Sequence, residues 1–401
     1  MRIRNLFDKN ETYLIAVSGG PDSMALWDKL LKLNLKLIAV HVNYHYRKEA
    51  DNETLMVKEF ARLNNCDIEI FDAHYQGSKG NFESWARKVR YQFFYEIGKK
   101  YNVDGCIVGH HLDDYLETYF MQERRGYVSY YGIKNITNIQ GLKIIRPCLK
   151  VTKERLLRYC KENKIPYAID VTNYDEKYLR NMIRHQKVMK MSCFEKRKLY
   201  RLIELKNKEL LRLINKAKKY LNVNNVYELR QLEKEVLDRV IIYKINAVDK
   251  RINVSNGLLD EVRNLIKEEN GNRLVSIGKI YDIAREYDSL RIVKKNVYNY
   301  KIEVKEPQVI ETQYFRIDLI KNPESLYIKN DSYPLIIQNA YYPHKIKIGK
   351  MLKRVNRLLI DAKIPYTKRL YWPEIVNNKG EVIFIPRTCE DENGLFVVKE
   401  L

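Results

Sequence analysis

Residues 13–30 read YLIAVSGGPDSMALWDKL and join a short apolar run to a helical pattern through a glycine-glycine turn. An apolar run of this length predicts a buried strand, and the apolar residues after the turn recur at helical spacing. Strand and helix patterns then alternate as far as a helix that begins at about Leu112. Repeated strand–helix units predict a parallel sheet with right-handed crossovers and helices on both faces. Ligands of such sheets bind beyond the carboxyl ends of the strands.

The predicted elements of this first part alternate as a doubly wound sheet requires. The predicted strands are Tyr13–Val17, Leu37–Val42, Ile68–Phe71 and Gly105–Val108. Four helices are predicted. The first begins after Gly20, the second spans Glu53–Asn64, the third spans Phe82–Tyr101 and the fourth begins at Leu112.

The rest of the chain has a different pattern. Helices are predicted over Cys193–Lys219, Glu228–Ile245 and Leu258–Glu268. Strand-like alternation covers 297–310, and the end mixes strands with one helix near Ile348–Ala362 and a turn at Asn377–Gly380. We therefore predict an α/β protein with three domains. These are a doubly wound, mainly parallel sheet (1–190), a basic helical domain (191–295) and a small α+β domain (296–401).

The chain carries 73 Lys and Arg against 51 Asp and Glu, a net charge of +22. Between Lys177 and Lys219 there are 15 basic and 3 acidic residues, and between Lys345 and Arg369 there are 9 basic residues and one acidic residue. Such a surplus attracts a polyanion, because each neutralised phosphate releases bound counterions. A solvated, Lys-rich surface is the alternative, but two separate basic runs favour nucleic acid.

The six cysteines are scattered, and no two stand at C-x-x-C spacing. This argues against a disulfide framework, a zinc knuckle or a redox pair, and most of the thiols are expected to be buried. The sequence has no run of 18 apolar residues and no apolar signal region after its basic N-terminus. We therefore predict no membrane segment and a cytoplasmic location.

The turn Ser18-Gly19-Gly20-Pro21-Asp22-Ser23 is the strongest candidate ligand site. Glycines let the backbone approach an anion, and a helix N-terminus offers unpaired N–H groups and a positive dipole end. Ser18 and Ser23 add hydroxyl donors, and Asp22 in a phosphate loop predicts an intervening cation such as Mg²⁺. The turn lacks the G-x-x-x-x-G-K-[ST] pattern, so transfer of a terminal phosphate is not implied. A plain glycine turn with a serine cap is the structural alternative.

A second constellation runs from Gly109 to Thr118, after the fourth predicted strand. On a helix, His110, Asp114 and Glu117 fall at i, i+4 and i+7 and share one face. Two carboxylates and an imidazole on one face bind a cation, either Mg²⁺ or the ammonium group of a ligand. A solvated helix face, with Asp residues near the positive helix end, is the alternative.

Two arginine pairs are weaker candidates. Arg87 and Arg90 stand at i and i+3 in a predicted helix and can clamp phosphates or a nucleotide. Arg180 and Arg184 share a helix face at the start of the first basic run, after a capped turn at 170–173. Spacing alone leaves solvated arginines as an equal alternative.

Taken together, these segments resemble the tRNA(Ile)-lysidine synthetases. The SGGPDS turn is similar to the loop of pyrophosphatases that cleave ATP between the α and β phosphates and adenylate a substrate oxygen. Further resemblances follow in chain order: HVNYHYR at 41–47, ARKVRY at 86–91, GHHLDDYLET at 109–118, Arg146-Pro147, Asp170 to Arg184, and a C-terminal segment at 353–373.

The sequence departs from the family pattern at three places. Tyr44 and His45 stand where the family has His-Gly, and Val171 and Thr172 stand where it has Pro and Ser. After Arg125-Gly126 the glycine-rich continuation of the family is replaced by YVSYY at 127–131. These departures concern how the loop near residues 125–135 meets the substrate, not the chemistry on ATP.

The resemblance implies a two-step reaction. ATP adenylates the C2 carbonyl oxygen of the wobble cytidine of a CAU anticodon and releases pyrophosphate. The ε-amine of free L-lysine then displaces AMP, giving lysidine, which pairs with A instead of G. Lysine's amine, whose ordinary pKa is about 10.4, must lose a proton before it attacks. The implied partners are ATP, Mg²⁺, tRNA(Ile), free lysine and a second copy of the chain in a homodimer.

The resemblance also implies site residues. By the resemblance, ATP is bound by Ser18, Gly19, Gly20, Pro21, Asp22 and Ser23, and Asp22 also binds Mg²⁺. Lysine is bound by His110, Asp114 and Glu117. We predict catalytic roles for Asp22, Arg87 and Asp114, with Arg87 steadying the nucleotide or the adenylate. The predicted tRNA contacts are Arg180, Arg184, Lys187, Arg197, Lys353, Arg354 and Arg369.

Three other functions share parts of this pattern. A tRNA thiolase has the same ATP loop but relies on paired or catalytic cysteines, and no cysteine pair is visible here. The activity of amidotransferases that share this loop does not account for two basic regions. A non-catalytic RNA-binding protein with a relic nucleotide fold does not require the intact Ser18, Asp22 and Ser23.

Overall fold

The computed structural model describes most of the 401 residues. The described ranges are 6–46, 49–75, 77, 82–123, 127–168, 179–269, 272–295, 299–313, 315–320, 328–340, 343–369, 371–388 and 396–398. The predicted turn at 170–173 and the pair Arg125-Gly126 lie outside them. The chain divides into two compact units, Met1–Arg212 and Leu213–Leu401. The predicted three-domain division near residues 190 and 295 stays a prediction.

The first unit alternates strands and helices, and each element predicted up to residue 122 is confirmed. Its strands are β1 (Thr12–Ala16), β2 (Lys36–Asn43), β3 (Asp67–Asp72), β4 (Gly105–Ile107), β5 (Ile136–Ile139) and β6 (Leu142–Ile145). Its helices are α1 (Pro21–Leu31), α2 (Ala50–Leu63), α3 (Phe82–Lys100), α4 (Leu112–Gln122), α5 (Lys153–Glu162), α6 (Leu179–Ile183), a π-helical turn at Arg184–Val188, and α7 (Cys193–Lys218).

The six strands form one sheet in the order β3-β2-β1-β4-β6-β5. Neighbouring strands are parallel except β5 and β6, so the predicted doubly wound, mainly parallel sheet is confirmed. The chain runs from β1 to β2 on one side and returns to β4 on the other. Beyond the carboxyl ends of β1 and β4 lies the crevice in which sheets of this kind bind ligands.

The side chains of β1 alternate between two buried cores. Leu14 packs with Phe93 and Phe94 of α3 on one face of the sheet. Ile15 packs on the other face in the same cluster as Trp27 of α1 and Phe60 of α2. Because both faces are covered, the strand reads as an unbroken apolar run in the sequence.

The first turn of helix α7 contains a lysine that is not part of a basic surface. Lys196 is fully buried, and its Nζ donates to Asp113 Oδ2 at 2.6 Å and to Glu154 Oε1 at 2.7 Å. Asp113 lies in the first turn of α4 and Glu154 in the first turn of α5. This lysine therefore joins three helices, one of which carries the candidate carboxylates.

Replacing Lys196 by Met is expected to lower the free energy of unfolding by about 3–5 kcal/mol, because Asp113 stays buried without its countercharge. Urea unfolding of the full chain measures the effect. Lys198→Met, an exposed lysine two residues along, is the matched control and should change stability by less than about 0.5 kcal/mol. Adding Asp113→Asn to Lys196→Met should restore part of the loss. Equal stability of the two single variants would contradict this assignment.

The second unit contains short helices and three sheets. Its helices are α8 (Val226–Arg230), α9 (Lys234–Val248), α10 (Asn256–Lys267), α11 (Val355–Asp361) and α12 (Tyr366–Arg369). Strands β7 (Arg273–Ile277), β8 (Tyr281–Glu286) and β9 (Ser289–Lys294) form an antiparallel sheet. The remaining strands are β10 (Lys301–Val304), β11 (Val309–Glu311), β12 (Phe315–Asp318), β13 (Leu335–Asn339), β14 (Lys345–Ile348), β15 (Met351–Arg354), β16 (Pro373–Val376), β17 (Val382–Phe384) and β18 (Phe396–Val398).

Two predicted helices of this unit are partly wrong. The helical stretch Glu228–Ile245 is broken between α8 and α9. The helix predicted near Ile348–Ala362 begins only at Val355, because Gly349, with a φ of +59°, turns β14 back onto β15. The sheet β7–β9 was not predicted. Of the helices that the structure describes, none is both long and apolar enough to span a bilayer.

Candidate active site

The turn after β1 lies at the carboxyl edge of the sheet. Gly19 has a φ of +81°, in the left-handed region where a side chain would strain the backbone. Pro21 occupies the first position of α1, where the missing N–H costs no helical hydrogen bond. The amides that follow it are the anion-binding donors of a helix N-terminus.

The two serines of the turn bond to each other and differ in exposure. The buried Ser23 hydroxyl donates to the Gly20 carbonyl oxygen at 3.0 Å and accepts from the Ser18 backbone N–H at 3.2 Å. Its oxygen also lies 3.2 Å from Ser18 Oγ. Because the single Ser23 proton goes to Gly20, Ser18 is the donor between the hydroxyls. Ser23 therefore shapes the turn, whereas the exposed Ser18 can reorient toward a ligand.

A second backbone segment touches this turn. A Cβ atom added to Gly109, which follows β4, would lie 3.2 Å from the Ser23 nitrogen and 3.3 Å from its Cα. A glycine at this position lets the segment after β4 approach the turn after β1. The two sequence motifs thus meet where the strand order reverses.

A pocket of about 200 Å³ opens between these segments. Its apolar wall includes Val40, Val42 and Phe94, and its polar groups include Ser18, Asp22, His110 and Asp114. Asp22 Oδ1 and His110 Nδ1 are buried and have no hydrogen-bond partner among the described residues. Buried polar atoms are normally satisfied, so such atoms at a pocket indicate a missing ligand.

Helix α4 begins at the predicted residue, which leaves His110 outside it. Its first residue is Leu112, and His111 stands before it in an extended conformation with φ −121° and ψ −175°. His110 therefore precedes the helix, and the prediction that it shares a helical stripe with Asp114 and Glu117 is wrong. His110 and Asp114 nevertheless line the same pocket.

The carboxylates of α4 are ion-paired with arginines that are distant in sequence. Arg180 donates from Nη2 to Asp114 Oδ1 at 2.6 Å and from Nε to Glu117 Oε2 at 2.7 Å. Arg184 donates from Nε to Glu117 Oε1 at 2.6 Å, and Glu117 is fully buried. His111 Nε2 lies 3.4 Å from both Asp22 Oδ2 and Asp114 Oδ2. Three carboxylates and three cationic side chains thus alternate in one network.

This arrangement separates the protonation states of the two histidines. Burial lowers the pKa of His111, but the carboxylates of Asp114, Asp22 and Asp113 outweigh burial and raise the pKa to about 9. Burial lowers the pKa of His110 to about 4. Burial opposes ionisation of Asp114, yet His111 and Arg180 hold the pKa of that carboxyl well below its usual value. At neutral pH the site therefore holds a neutral His110 and an Asp114 anion at the pocket, with a His111 cation beside them in the ion-pair network.

Residues 1–191 match the family model of the PP-loop domain. The chain is 32% identical over 389 residues to the tRNA(Ile)-lysidine synthase of Mesoplasma florum, an alignment that covers 93% of this chain and 96% of that protein. It is 34% identical over 398 residues to the tRNA(Ile)-lysidine synthase of Mycoplasma mycoides subsp. mycoides SC, covering 94% and 96%. The chain belongs to the tRNA(Ile)-lysidine synthase family. Like its relatives it is an ATP-using ligase built on a PP-loop domain.

Among solved structures, the U34-tRNA thiolase NcsA from Methanococcus maripaludis aligns with a TM-score of 0.41 and 19% identity. The alignment covers 50% of this chain and 74% of that one. A similarity of this size carries no argument about the activity of this lysidine synthase.

One departure from the lysidine synthase pattern keeps a backbone conformation that suits glycine. His45, which stands where the family has glycine, has a φ of +49°. Its backbone N–H donates to Asn43 Oδ1 at 3.0 Å, and its Nε2 lies 2.9 Å from Asp72 Oδ1. These side-chain partners hold the histidine in a conformation that costs other residues more.

The loop after residue 126, which differs from the family pattern, is hydrogen-bonded to α4 and α7. The Tyr131 backbone N–H donates to Asn207 Oδ1 at 2.8 Å, and the Tyr130 hydroxyl donates to Glu204 Oε1 at 3.0 Å. The Gly132 N–H donates to Gln122 Oε1 at 2.7 Å. In this lysidine synthase, tyrosines and polar partners occupy the stretch where the family has glycines.

The arginines of α3 lie differently from the prediction. Arg87, predicted to be catalytic, is exposed, with its Cζ 4.8 Å from the centre of the Tyr91 ring. Arg90 lines the pocket, and its Nε donates to the Tyr44 hydroxyl at 3.0 Å. The catalytic role of Arg87 stays a prediction, and Arg90 is the arginine at the pocket wall.

The predicted tRNA contacts fall into three groups. Arg180 and Arg184 belong to the ion-pair network rather than to a free basic surface. Arg369 is 3% exposed and donates to the Ile364 carbonyl oxygen, so its prediction as a surface contact is wrong. The remaining predicted contacts, which are exposed or half-buried, are Lys187, Arg197, Lys353 and Arg354.

His111 was not predicted as a site residue, although the motif that contains it was a candidate site. Tyr44 and Tyr91 were also not predicted as site residues, and both line the pocket together with Arg90, which was a weaker candidate. The signal for His111 was its position between the end of a strand and the start of a helix, at the sheet edge where ligands bind. The lysine-binding role was predicted for the adjacent His110 instead.

The raised pKa of His111 predicts a loss of stability at alkaline pH. The folded pKa of about 9 exceeds the ordinary value of 6.5. The stabilisation is therefore full below pH about 6.5 and is lost as the pH rises through about 9. This stabilisation amounts to about 3 kcal/mol, since a pKa difference of one corresponds to about 1.4 kcal/mol. Urea unfolding at pH 6 and pH 9.5, without nucleotide or Mg²⁺, should show this loss in the wild type and not in His111→Gln. Parallel losses in both proteins would refute the assignment.

Proposed function

We propose that this lysidine synthase uses the pocket to adenylate the C2 carbonyl oxygen of cytidine 34 in CAU-anticodon tRNA(Ile). Free L-lysine then attacks the same carbon, giving lysidine, AMP and pyrophosphate and changing decoding from AUG to AUA. The proposal depends on one observation, the contact between the turn 18–23 and the segment after β4 at Gly109. This contact joins a phosphate-binding backbone to an acidic ion-pair network.

The turn 18–23 would hold the ATP phosphates, and Asp22 would hold Mg²⁺. The partnerless Oδ1 of Asp22 fits a cation ligand. No group of three metal-binding side chains occurs among the described residues. Mg²⁺ is commonly bound by one or two carboxylates together with substrate phosphates, so one carboxylate suits a cation that arrives with ATP. When bound, Mg²⁺ would stabilise the charge on the departing pyrophosphate.

In the first step the cytidine O2 attacks the α-phosphorus of ATP, and the bond to pyrophosphate breaks. A base carbonyl is a poor electrophile until its oxygen becomes a leaving group, so adenylation prepares C2 for the amine. Arg90 at the pocket wall, and Arg87 one turn before it, would supply positive charge toward the nucleotide.

Lysine would bind between His110, Asp114 and Glu117, with the carboxylates toward its ammonium group. The neutral His110 has a buried, partnerless Nδ1 that can accept an N–H, and Asp114 supplies a negative charge at the same pocket. Glu117 has both oxygens on Arg180 and Arg184, so a lysine ammonium reaches it only if an arginine moves. Without that movement Glu117 is a positioning residue for the two arginines.

The tRNA would lie on the basic residues outside the network. Lys187 and Arg197 are exposed in the first unit, and Lys353 and Arg354 lie at the end of β15 in the second. Phosphate contacts of this kind position an RNA without reading its sequence. The homodimer and the cytoplasmic location stay predictions.

Three of the thiols are poorly suited to a thiolase reaction. Cys106, Cys148 and Cys160 are buried, and burial raises the pKa of all three, to about 12 for Cys148 and about 11 for Cys160. Such thiols are mostly protonated at neutral pH and are poor nucleophiles.

The decisive experiment mixes the full chain with ATP, Mg²⁺, radiolabelled lysine and a CAU-anticodon tRNA(Ile) transcript. We expect one label in RNA for each pyrophosphate released, and no label with the transcript of methionine tRNA. Replacing all six cysteines by alanine should leave label transfer intact. Pyrophosphate release without label in RNA, or label transfer without ATP, would overturn the proposal.

A further inference from the structure

The second unit contains a pocket that the lysidine reaction does not use. It has a volume of about 360 Å³ and lies between α9, the segment before α8, and strands β8 and β9. Small-molecule sites usually measure about 300–1,000 Å³, so this pocket accommodates one small ligand. Its floor is apolar, with the buried side chains of Ile241, Ile283 and Leu290.

One wall of this pocket carries an ammonium group without a countercharge. Lys244 Nζ donates to the Leu221 carbonyl oxygen at 2.7 Å and to Asn224 Oδ1 at 2.9 Å. In the part of the chain that the structure describes, these two neutral oxygens are its partners, and burial lowers the pKa of Lys244. An ammonium group has three donors, so one N–H remains for a ligand.

A second cation stands at the exposed rim. Arg291 of β9 lines the pocket, and its Nε donates to Ser289 Oγ at 3.2 Å. Two unneutralised cations above an apolar floor attract a ligand that is anionic at one end and flat or apolar at the other. Tyr243 also lines the pocket.

We propose that this pocket binds one unstacked nucleotide of the tRNA substrate. Its phosphate contacts Lys244 and Arg291, and its base lies on the floor of Ile241, Ile283 and Leu290. RNA-binding proteins recognise loops and ends through splayed-out bases, whereas a paired stem presents only its backbone. The pocket therefore selects an unpaired nucleotide and fixes the register of the tRNA. This inference rests on the proposed function, because it takes tRNA as the substrate.

The test compares the affinity of the full chain for the tRNA(Ile) transcript in three variants. Lys244→Met removes the ammonium group, and Ala247→Trp fills the pocket from an exposed lining position while Lys244 stays. Lys234→Met removes an exposed lysine near the start of the same helix and is the matched control. We expect Kd to rise about tenfold for the two pocket variants, as for loss of a charged hydrogen bond, and less than about twofold for the control.

Two further measurements separate the pocket from a general charge effect. Lys244→Met should reduce the slope of log Kd against log salt by about one, and kcat at saturating tRNA should stay near that of the wild type. Chemical probing should show one unpaired nucleotide that is protected by the wild type and released by both pocket variants.

The outcomes of these measurements distinguish the pocket inference from the proposed function. If the wild type binds tRNA and attaches lysine but Lys244→Met binds like Lys234→Met, the pocket inference fails and the proposed function stands. If AMP or CMP binds in a Lys244-dependent way while the Kd for tRNA is unchanged, the pocket serves free nucleotides and the inference is overturned. If the wild type attaches no lysine, the proposed function itself fails.

Discussion

An enzyme carrying Asp22→Asn is expected to release pyrophosphate about a thousandfold more slowly than the wild type. One oxygen of Asp22 lies 3.4 Å from His111 Nε2, and the other is buried without a partner in the described part of the chain. The amide keeps the shape of the side chain but neither holds a cation nor balances His111. Loss of one electrostatic contact to a reacting group costs about 10²–10³ in rate, and loss of the proposed Mg²⁺ ligand would add to it.

The measurement is pyrophosphate release at saturating ATP and tRNA. Asp28→Asn is the matched control, because Asp28 lies on the same helix and accepts from Lys32 Nζ at 2.7 Å and the Tyr159 hydroxyl at 2.5 Å, away from the pocket. Ion pairs of this kind contribute little, so the control should stay within about twofold of the wild-type rate. An Asp22→Asn enzyme within tenfold of the wild type would remove Asp22 from the proposed chemistry.

The sequence predicted the PP-loop unit well because its signals are local. An apolar run, a glycine turn and a helical pattern within 18 residues describe β1, the turn and α1 without reference to the rest of the chain. The close approach of Gly109 to Ser23 also followed from topology, since β1 and β4 are adjacent parallel strands whose carboxyl ends share one edge.

Other features could not be read from the sequence because they depend on long-range contacts. Lys196 and Arg369 belong to basic runs, yet both are buried, one on carboxylates and the other on a backbone carbonyl oxygen. Arg180 and Arg184 were predicted to face RNA, but their partners lie more than 60 residues earlier, on α4. A count of charges locates a basic segment and leaves open which of its side chains meet solvent.

The ion-pair network explains how acidic residues persist beside a phosphate site. Asp22, Asp114 and Glu117 alternate with His111, Arg180 and Arg184, so the network is close to neutral. In the proposed reaction the lysine ammonium adds a positive charge, which bound ATP would balance. We therefore predict that lysine binds after ATP rather than before it.

An Asp114→Asn enzyme is expected to uncouple the two steps. Lysine transfer should fall about a hundredfold or more, because a buried charged contact to the ammonium group is lost. Pyrophosphate release in the first turnover, which leaves adenylated tRNA on the enzyme, should fall by about tenfold at most, since the turn 18–23 is unchanged. The measurement is the ratio of pyrophosphate released to lysine incorporated into tRNA within a single turnover, which should rise well above the wild-type value.

Asp113→Asn is the matched control for this ratio. Asp113 is the neighbouring carboxylate, but it accepts from Lys196 Nζ at 2.6 Å and is not part of the pocket wall. Its replacement should lower stability, because Lys196 loses a buried partner, and should leave the ratio of the two products unchanged. Instability alone reduces both products together, so only a residue that contacts lysine separates them. An Asp114→Asn enzyme that lost both activities in equal proportion would place Asp114 with ATP rather than with lysine.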